Sequence, residues 1–186
     1  MFNDKYGLTE AVLEGRKTMT RRKVNVSTWR EVTPGCIPRH GLEHSPYKIG
    51  EVVAVAQSYK AVHEEMMNGD YGDAIYDPFR WAVVYDKPGW GNKMFVLADL
   101  MPHHIRITNI RVERLQEISD EDCMKEGIFW DYGDYPYMAT KMYKYNDKDE
   151  YIHPKSAFAS LIDKLSGKGT WKSNPWVFVY EFKLVK

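Results

Sequence analysis

The clearest alternation of apolar and polar positions runs from Ile105 to Leu115. Ile105 and Ile107 share one parity, and Ile110 and Val112 continue on the other. The change of phase at Thr108-Asn109 predicts a bulge, the device by which a small barrel turns a corner. The run Val52-Val53-Ala54-Val55-Ala56 after Gly50 predicts a buried strand by its length and β-branching. Trp176 to Val185 predicts a closing strand, and Met1-Phe2 a short opening one. Arg21 to Val26 is expected to run as a strand with its charges at the surface. Arg80 to Tyr85 and Lys93 to Ala98 read as a hairpin around the turn Lys87-Pro88-Gly89-Trp90-Gly91-Asn92. Ile105, Ile107, Val112, Leu115, Phe178 and Phe182 are the expected members of one core.

Helical spacing is confined to shorter stretches. Leu8, Ala11 and Val12 recur helically before Glu14, with Asn3 or Asp4 as cap and Gly15 where a positive φ ends a helix. Ser119 offers an N-cap with Asp122 at the capping-box position, and Asp120 and Glu121 suit the first-turn dipole up to a stop at Gly127. Pro154 fits a first helical position, followed by the apolar face Phe158, Leu161, Ile162 and Leu165 up to Gly167. Residues 27 to 49, with Pro34, Gly35, Pro38, Gly41 and Pro46, read as an extended loop. Residues 63 to 73 are mixed, because Met66-Met67 favour a helical turn that Gly69 and Gly72 break. Residues 128 to 152, rich in Tyr, Asp and Gly, read as a long insertion. Strands with a few interposed helices predict an α+β fold, a small β-barrel with peripheral helices rather than a parallel sheet.

Composition narrows the classes. A chain of 186 residues is expected to be a single domain, 1–186, with insertions around 60–93 and 128–152. Its 44% apolar and 14% aromatic content can build a core. The mean hydropathy of −0.54 argues against a membrane protein. The N-terminus lacks the apolar stretch of a secretory signal. Only Cys36 and Cys123 are present, far apart, so neither a disulfide framework nor a zinc site is expected. A reducing cytoplasm is the expected compartment. His103-His104 and the pair His40 and His44 lack ligand spacing, and adjacent strand residues face opposite ways, so no metal is expected.

Charge changes the picture in one place. The chain is neutral overall, yet no acidic residue lies between Gly15 and Arg30. The stretch Glu14-Gly15-Arg16-Lys17-Thr18-Met19-Thr20-Arg21-Arg22-Lys23 presents cations and two threonine hydroxyls directly after a helix. Such a local imbalance attracts anions, phosphate first among them.

Gly15-x-Lys17 followed by Arg22 resembles the G-x-K-x-x-x-x-R signature of the ASCH family, small β-barrels related to the PUA RNA-binding domain. Other stretches are similar, in order, to the longer ASCH-like proteins of phages and prophages. They are Gly50-Glu51-Val52-Val53, Met101-Pro102, Ile105-Arg106-Ile107, Val112-Glu113-Arg114-Leu115, Glu126-Gly127 and Asn174-Pro175-Trp176-Val177. The resemblance implies a PUA-like barrel with a pocket beside the basic turn.

More distantly the chain resembles the hydrolases that deacetylate N4-acetylcytidine, in which a Lys, a Thr three residues on and a Glu look catalytic. The matching residues are Lys17, Thr20 and Glu126. Crowding by Arg16, Arg21 and Arg22 favours a neutral Lys17 amine, which can take the proton of a threonine hydroxyl. Glu126 can orient the amine or shuttle a proton to a leaving group. On a straight strand, a spacing of three sets Lys17 and Thr20 on opposite faces, so they converge only if the chain bends. Glu126 also fits a surface carboxylate at a helix end, and Thr20 an ordinary barrel residue.

The expected nucleic-acid surface comprises Arg16, Arg21, Arg22, Lys23 and Arg30, with Arg106 and Arg111 on a neighbouring strand. Tyr59, Trp81, Trp90 and Trp130 are candidate stacking faces, or aromatic plugs of the barrel ends. The leading expectation is recognition of a nucleotide or modified base in RNA or single-stranded or modified DNA, or as a free nucleoside. Deacetylation of an acylated base stands second, and a host-directed interaction protein using the barrel as scaffold third. No cofactor and no membrane partner are expected.

Overall fold

The computed structural model describes residues 2–25, 36–37, 41–68, 82, 84–132, 140–146 and 148–185. The chain is mixed α+β, with an antiparallel sheet curled as a half-barrel and few helices. It divides into two compact units, one of Met1–Phe2, Val52–Ile105 and Val185–Lys186, the other of Asn3–Glu51 and Arg106–Leu184.

In the larger unit, Leu8–Leu13 forms α1, burying Leu8, Thr9, Ala11 and Val12. It ends at Gly15, whose φ of 75° only glycine adopts without strain. Met19–Lys23 then forms β1. It pairs antiparallel with the last strand, Trp176–Val185, setting Met19 against Glu181, Thr20 against Tyr180 and Arg21 against Val179. That last strand buries Val177, Phe178, Val179 and Tyr180 consecutively, so both of its faces are covered. Within this unit the sheet order is β1-β6-β3, with the closing strand labelled β6 and β3 at His104–Arg114; the first residues of β3 belong to the smaller unit, where β3 neighbours β2 (Val52–Ala54). Along β3 the alternation lapses at Thr108-Asn109, where two exposed residues follow one another. Ile107, Leu115, Phe178 and Phe182 are buried as expected, whereas Val112 is half-buried under the close approach of Gly41.

Local caps set the helices of this unit. Ser119 Oγ accepts from the Asp122 N–H at 3.1 Å and starts α3, Asp120–Lys125. Pro154 opens α4, Pro154–Ser166, which buries Ala157, Phe158, Leu161 and Ile162 and stops at Gly167. A short α5, Thr170–Ser173, is pinned by the Asp163 carboxylate, which accepts from the Gly169 and Trp171 N–H groups. The stretch expected as a long insertion contains a two-stranded sheet, β4 (Phe129–Tyr132) against β5 (Lys141–Lys144).

The smaller unit is built on α2, Tyr59–Met67, capped by Ser58, whose Oγ accepts from the Ala61 N–H at 3.2 Å. Tyr59, Val62 and Met66 fall on one face and pack with Val84 and Met101. β2 is shorter than expected, and Val52 is exposed while Val55 is buried, its N–H bonded to the His103 carbonyl. The expected hairpin does not form among the described residues from 84 to 98, which make turns instead. The reason lies in side chains that take the backbone groups a ladder needs. Tyr59 Oη accepts from the Leu97 N–H at 2.8 Å, and Asn92 Oδ1 from the Met94 N–H at 2.8 Å. Phe2 lies in no strand.

Candidate functional site

The bend after α1 delivers Lys17 into the interior. Its backbone N–H returns to the Ala11 carbonyl at 2.7 Å, and the Thr18 N–H reaches the Lys125 carbonyl at 2.9 Å, tying the basic turn to the end of α3. Lys17 Nζ donates to the Glu126 carbonyl at 2.6 Å and to its carboxylate Oε2 at 2.7 Å. The two side chains are 2% and 5% exposed. Burial pushes the Lys17 amine below its ordinary value, the Glu126 carboxylate opposes that shift, and Arg22 and Arg21 add to it.

Arg21 sits beside this pair, its side chain 1% exposed. Its guanidinium donates to Glu113 Oε1 at 2.6 Å, Asp122 Oδ2 at 3.0 Å and Glu126 Oε1 at 3.1 Å. Burial alone would depress the guanidinium, but the surrounding Glu126, Glu113 and Asp122 carboxylates outweigh it and hold Arg21 charged. From β3, Arg111 donates to Glu113 Oε2 at 2.8 Å, to Glu181 Oε1 at 2.6 Å and to Asp122 Oδ2. Lys17, Arg21 and Arg111 thus share Glu113, Asp122, Glu126 and Glu181 in one connected charge network. A buried guanidinium is tolerable only with such pairing.

Strand alternation decides where the remaining candidates fall. Met19 and Arg21 of β1 face the network, and Glu181 opposite Met19 belongs to it. Thr20 is half-buried on the other face of β1, opposite Tyr180. The structure therefore brings Lys17 and Glu126 together and does not bring Thr20 to them. Arg22 and Lys23 are exposed, as is Arg106, which donates to the Gly50 carbonyl at 3.1 Å.

Two candidates require correction. Arg21 is no surface cation, because three carboxylates enclose it. Tyr59 offers no stacking face, because its ring is 2% exposed inside the core of the smaller unit. Trp90 in that unit is half-buried with Tyr85 at 4.6 Å between ring centroids, whereas Trp130 on β4 is exposed. Arg30, Trp81 and His40 lie outside the described residues. Among the described residues no group of three or more His, Cys, Asp or Glu is placed to hold a metal ion.

A cleft of about 280 Å³ opens where α1, the basic turn and β4 meet. Ala11 and Gly127 line it and also contact Lys17, for a Cβ built on Gly127 would lie 3.6 Å from the lysine stem. Tyr6 and Phe129 give the cleft aromatic walls, Tyr145 lines it while only 3% exposed, and Asn146 adds an amide. Lys5 and Arg16 bring cations, and Glu10 a carboxylate. The Arg16 guanidinium stands 5.9 Å from the Phe129 ring centroid and pairs with Glu14. The Tyr6 and Tyr145 rings meet edge-on at 5.9 Å. The Tyr145 hydroxyl is anchored away from solvent by Asp149, Ser160 and Lys164.

Sequence reasoning missed Glu113, Asp122 and Glu181 as partners of the basic turn. One signal was present, because Asn109, Arg111 and Glu113 stand at every second position and so share a face of β3. Tyr6, Phe129 and the adjacent pair Tyr145-Asn146 come from three separate stretches of the chain and carry no common spacing. No family model matches the chain, and neither a curated protein nor a solved structure matches it.

Proposed function

We propose that the chain recognises a single nucleotide or modified base in the cleft of Tyr6, Phe129, Tyr145 and Asn146. The observation that carries this reading is the meeting of aromatic walls, one amide and two cations in a cleft of about 280 Å³. That volume lies just below the usual range of ligand sites, roughly 300–1,000 Å³, and suits one base rather than a helix. The Tyr6 and Phe129 rings accept any base by stacking, and Asn146, whose Oδ1 is taken by the Lys148 and Asp149 N–H groups and whose Nδ2 donates to Asp149, keeps one amide N–H for its edge. Arg16 presents a planar fork that matches phosphate, with Lys5 as a second charge. The resemblance of the basic turn to the ASCH signature supports the same reading, with a PUA-like barrel as the fold it implies. The curled antiparallel sheet is compatible with that barrel.

Calorimetric titration with the four ribonucleoside monophosphates and with N4-acetylcytidine tests it. At least one should bind, and Phe129→Ala should weaken that binding about tenfold, the effect of losing one base–aromatic stack. Arg16→Ala should weaken nucleotides more than nucleosides. Failure of every ligand to bind the wild type removes the reading.

A second reading, deacetylation of an acylated cytidine, is favoured by the depressed Lys17 amine against Glu126. In it the neutral amine takes a proton from the attacking oxygen, and that same proton passes from Lys17, directly or through the Glu126 carboxylate, to the leaving amine. The assay is release of cytidine from N4-acetylcytidine by wild type, Lys17→Ala and Thr20→Ala. Loss of turnover in Lys17→Ala is expected. Equal activity in Thr20→Ala removes the threonine as nucleophile. No release across about pH 6 to 9 removes this substrate.

A further inference from the structure

Strand β4 has two faces, and the cleft uses only one of them. Phe129 lines the cleft, so by strand alternation Trp130 and Tyr132 project from the opposite face. The register sets Trp130 against Tyr143 and Tyr132 against Lys141, which puts those four side chains on one surface. Trp130 and Tyr132 are 41% and 55% exposed, with ring centroids 5.6 Å apart. The Lys141 ammonium stands 4.1 Å from the Trp130 ring centroid. No carboxylate shares this face among the four. Among the described residues β4 pairs only with β5, so the outer edge of β4 carries no partner strand.

From this placement we infer that the ligand of the cleft is part of a single-stranded nucleic acid, whose neighbouring bases stack on Trp130 and Tyr132. This rests on the base-binding reading of the cleft and names its substrate class as a strand rather than a free nucleoside. A strand that leaves the Phe129 side can pass over the edge of β4 that no described strand covers and reach the Trp130 side. Successive bases need aromatic faces, and the exposed indole and phenol supply them without regard to sequence. Lys141 now covers the indole. Its cation–π contact at an exposed site is weaker than a base stack, so a base displaces it and the ammonium turns to the adjoining phosphate. A partner protein would also find aromatic anchors here. Among the described residues no carboxylate pairs with Lys141, and an unmatched cation favours a polyanion.

The test compares a labelled single strand of about eight nucleotides, as RNA and as DNA, with the mononucleotide that binds best. Affinities are read by fluorescence anisotropy and calorimetry, in wild type, in Trp130→Ala with Tyr132→Ala, and in Lys141→Ala. The expected result is that wild type binds RNA, DNA or both, and that the double variant loses at least about tenfold for the strand while keeping its mononucleotide affinity. Lys141→Ala should reduce the salt slope for the strand by about 0.7, the release of one counterion. That measurement decides the matter should the double variant melt early. Strand affinity unchanged in both variants, with mononucleotide binding intact, overturns this inference and leaves the base-binding cleft standing. Strand binding that depends on Trp130 while no mononucleotide binds sustains the platform and removes the cleft reading. Absence of binding to any nucleotide or strand overturns both.

Discussion

Lys17 is held in a position that costs free energy and is retained by its partners. Removing one member of a buried ion pair typically costs about 3–5 kcal/mol, because the other charge is stranded. Glu126 would not be stranded completely without Lys17, since Arg21 also donates to its carboxylate. Lys17→Met is therefore expected to fold, with a loss near the lower end of that range. The pH dependence carries the sharper test. The folded Lys17 releases its proton more readily than an unfolded lysine with an ordinary value of 10.5. On approach to that value from below, the unfolded chain binds more protons than the folded one, so the burial penalty of Lys17 is relieved as pH rises. Urea denaturation at about pH 7 and about pH 9.5, chosen to bracket the rise toward the lysine range, should show wild type gaining stability relative to Lys17→Met. A constant gap, or one that closes, would mean that the folded amine is not depressed.

Elements whose ends depend on neighbours in sequence were legible before any coordinates. β6 occupies Trp176–Val185 as its apolar run predicts, α3 begins after Ser119, and α4 runs from Pro154 to a stop at Gly167. Each is set by residues within a few positions of itself. Elements decided at long range were not legible. The Arg21 carboxylates are 92, 101 and 105 residues away in the chain, and a run of arginines read alone suggests a surface. The turns that replace the expected hairpin hang on the Tyr59 hydroxyl, 38 residues before Leu97. Of the catalytic candidates Lys17 and Glu126 meet, and both were legible through the resemblance of Gly15-x-Lys17 and Glu126-Gly127 to the ASCH pattern. Gly127 gives an element-scale test. Its φ is 101°, and a Cβ there would meet Leu8 at 3.4 Å and Lys17 at 3.6 Å, ordinary contact distances. Gly127→Ala should therefore cost mainly the left-handed backbone, about 1–2 kcal/mol. A calorimetric scan should place its midpoint roughly 2–8 °C below wild type. An unchanged midpoint would contradict the conformation that closes α3 over Lys17.

The molecule as a whole carries 26 basic and 26 acidic residues and is neutral, so its attraction for a polyanion depends on where the cations are free to act. The cations of the charge network, the cleft and the face of β4 fall into two populations. Lys17, Arg21 and Arg111 are committed to internal carboxylates, whereas Lys5 lines the cleft, Arg16 lines it with the solvent-exposed Glu14 as a partner that a phosphate can replace, and Lys141 lies over Trp130. Counterion release counts only the second population, since a cation already neutralised inside the protein displaces no salt from a phosphate. Three such cations give an expected slope of log affinity against log salt of about −2 for a single strand, at about −0.7 per contact. The full set of cations in the basic turn and β3 would give a much steeper dependence. Arg16→Ala should bring the slope up by about 0.7 without lowering the melting temperature appreciably, because its side chain is 45% exposed. Arg21→Gln should do the reverse, lowering the midpoint while the molecules that remain folded keep the wild-type slope. The two variants, titrated between low and moderate salt after a thermal melt of each, separate a phosphate contact from a structural charge. A slope that falls in Arg21→Gln and stays fixed in Arg16→Ala would place the nucleic acid on the β1 side of the molecule and away from the cleft.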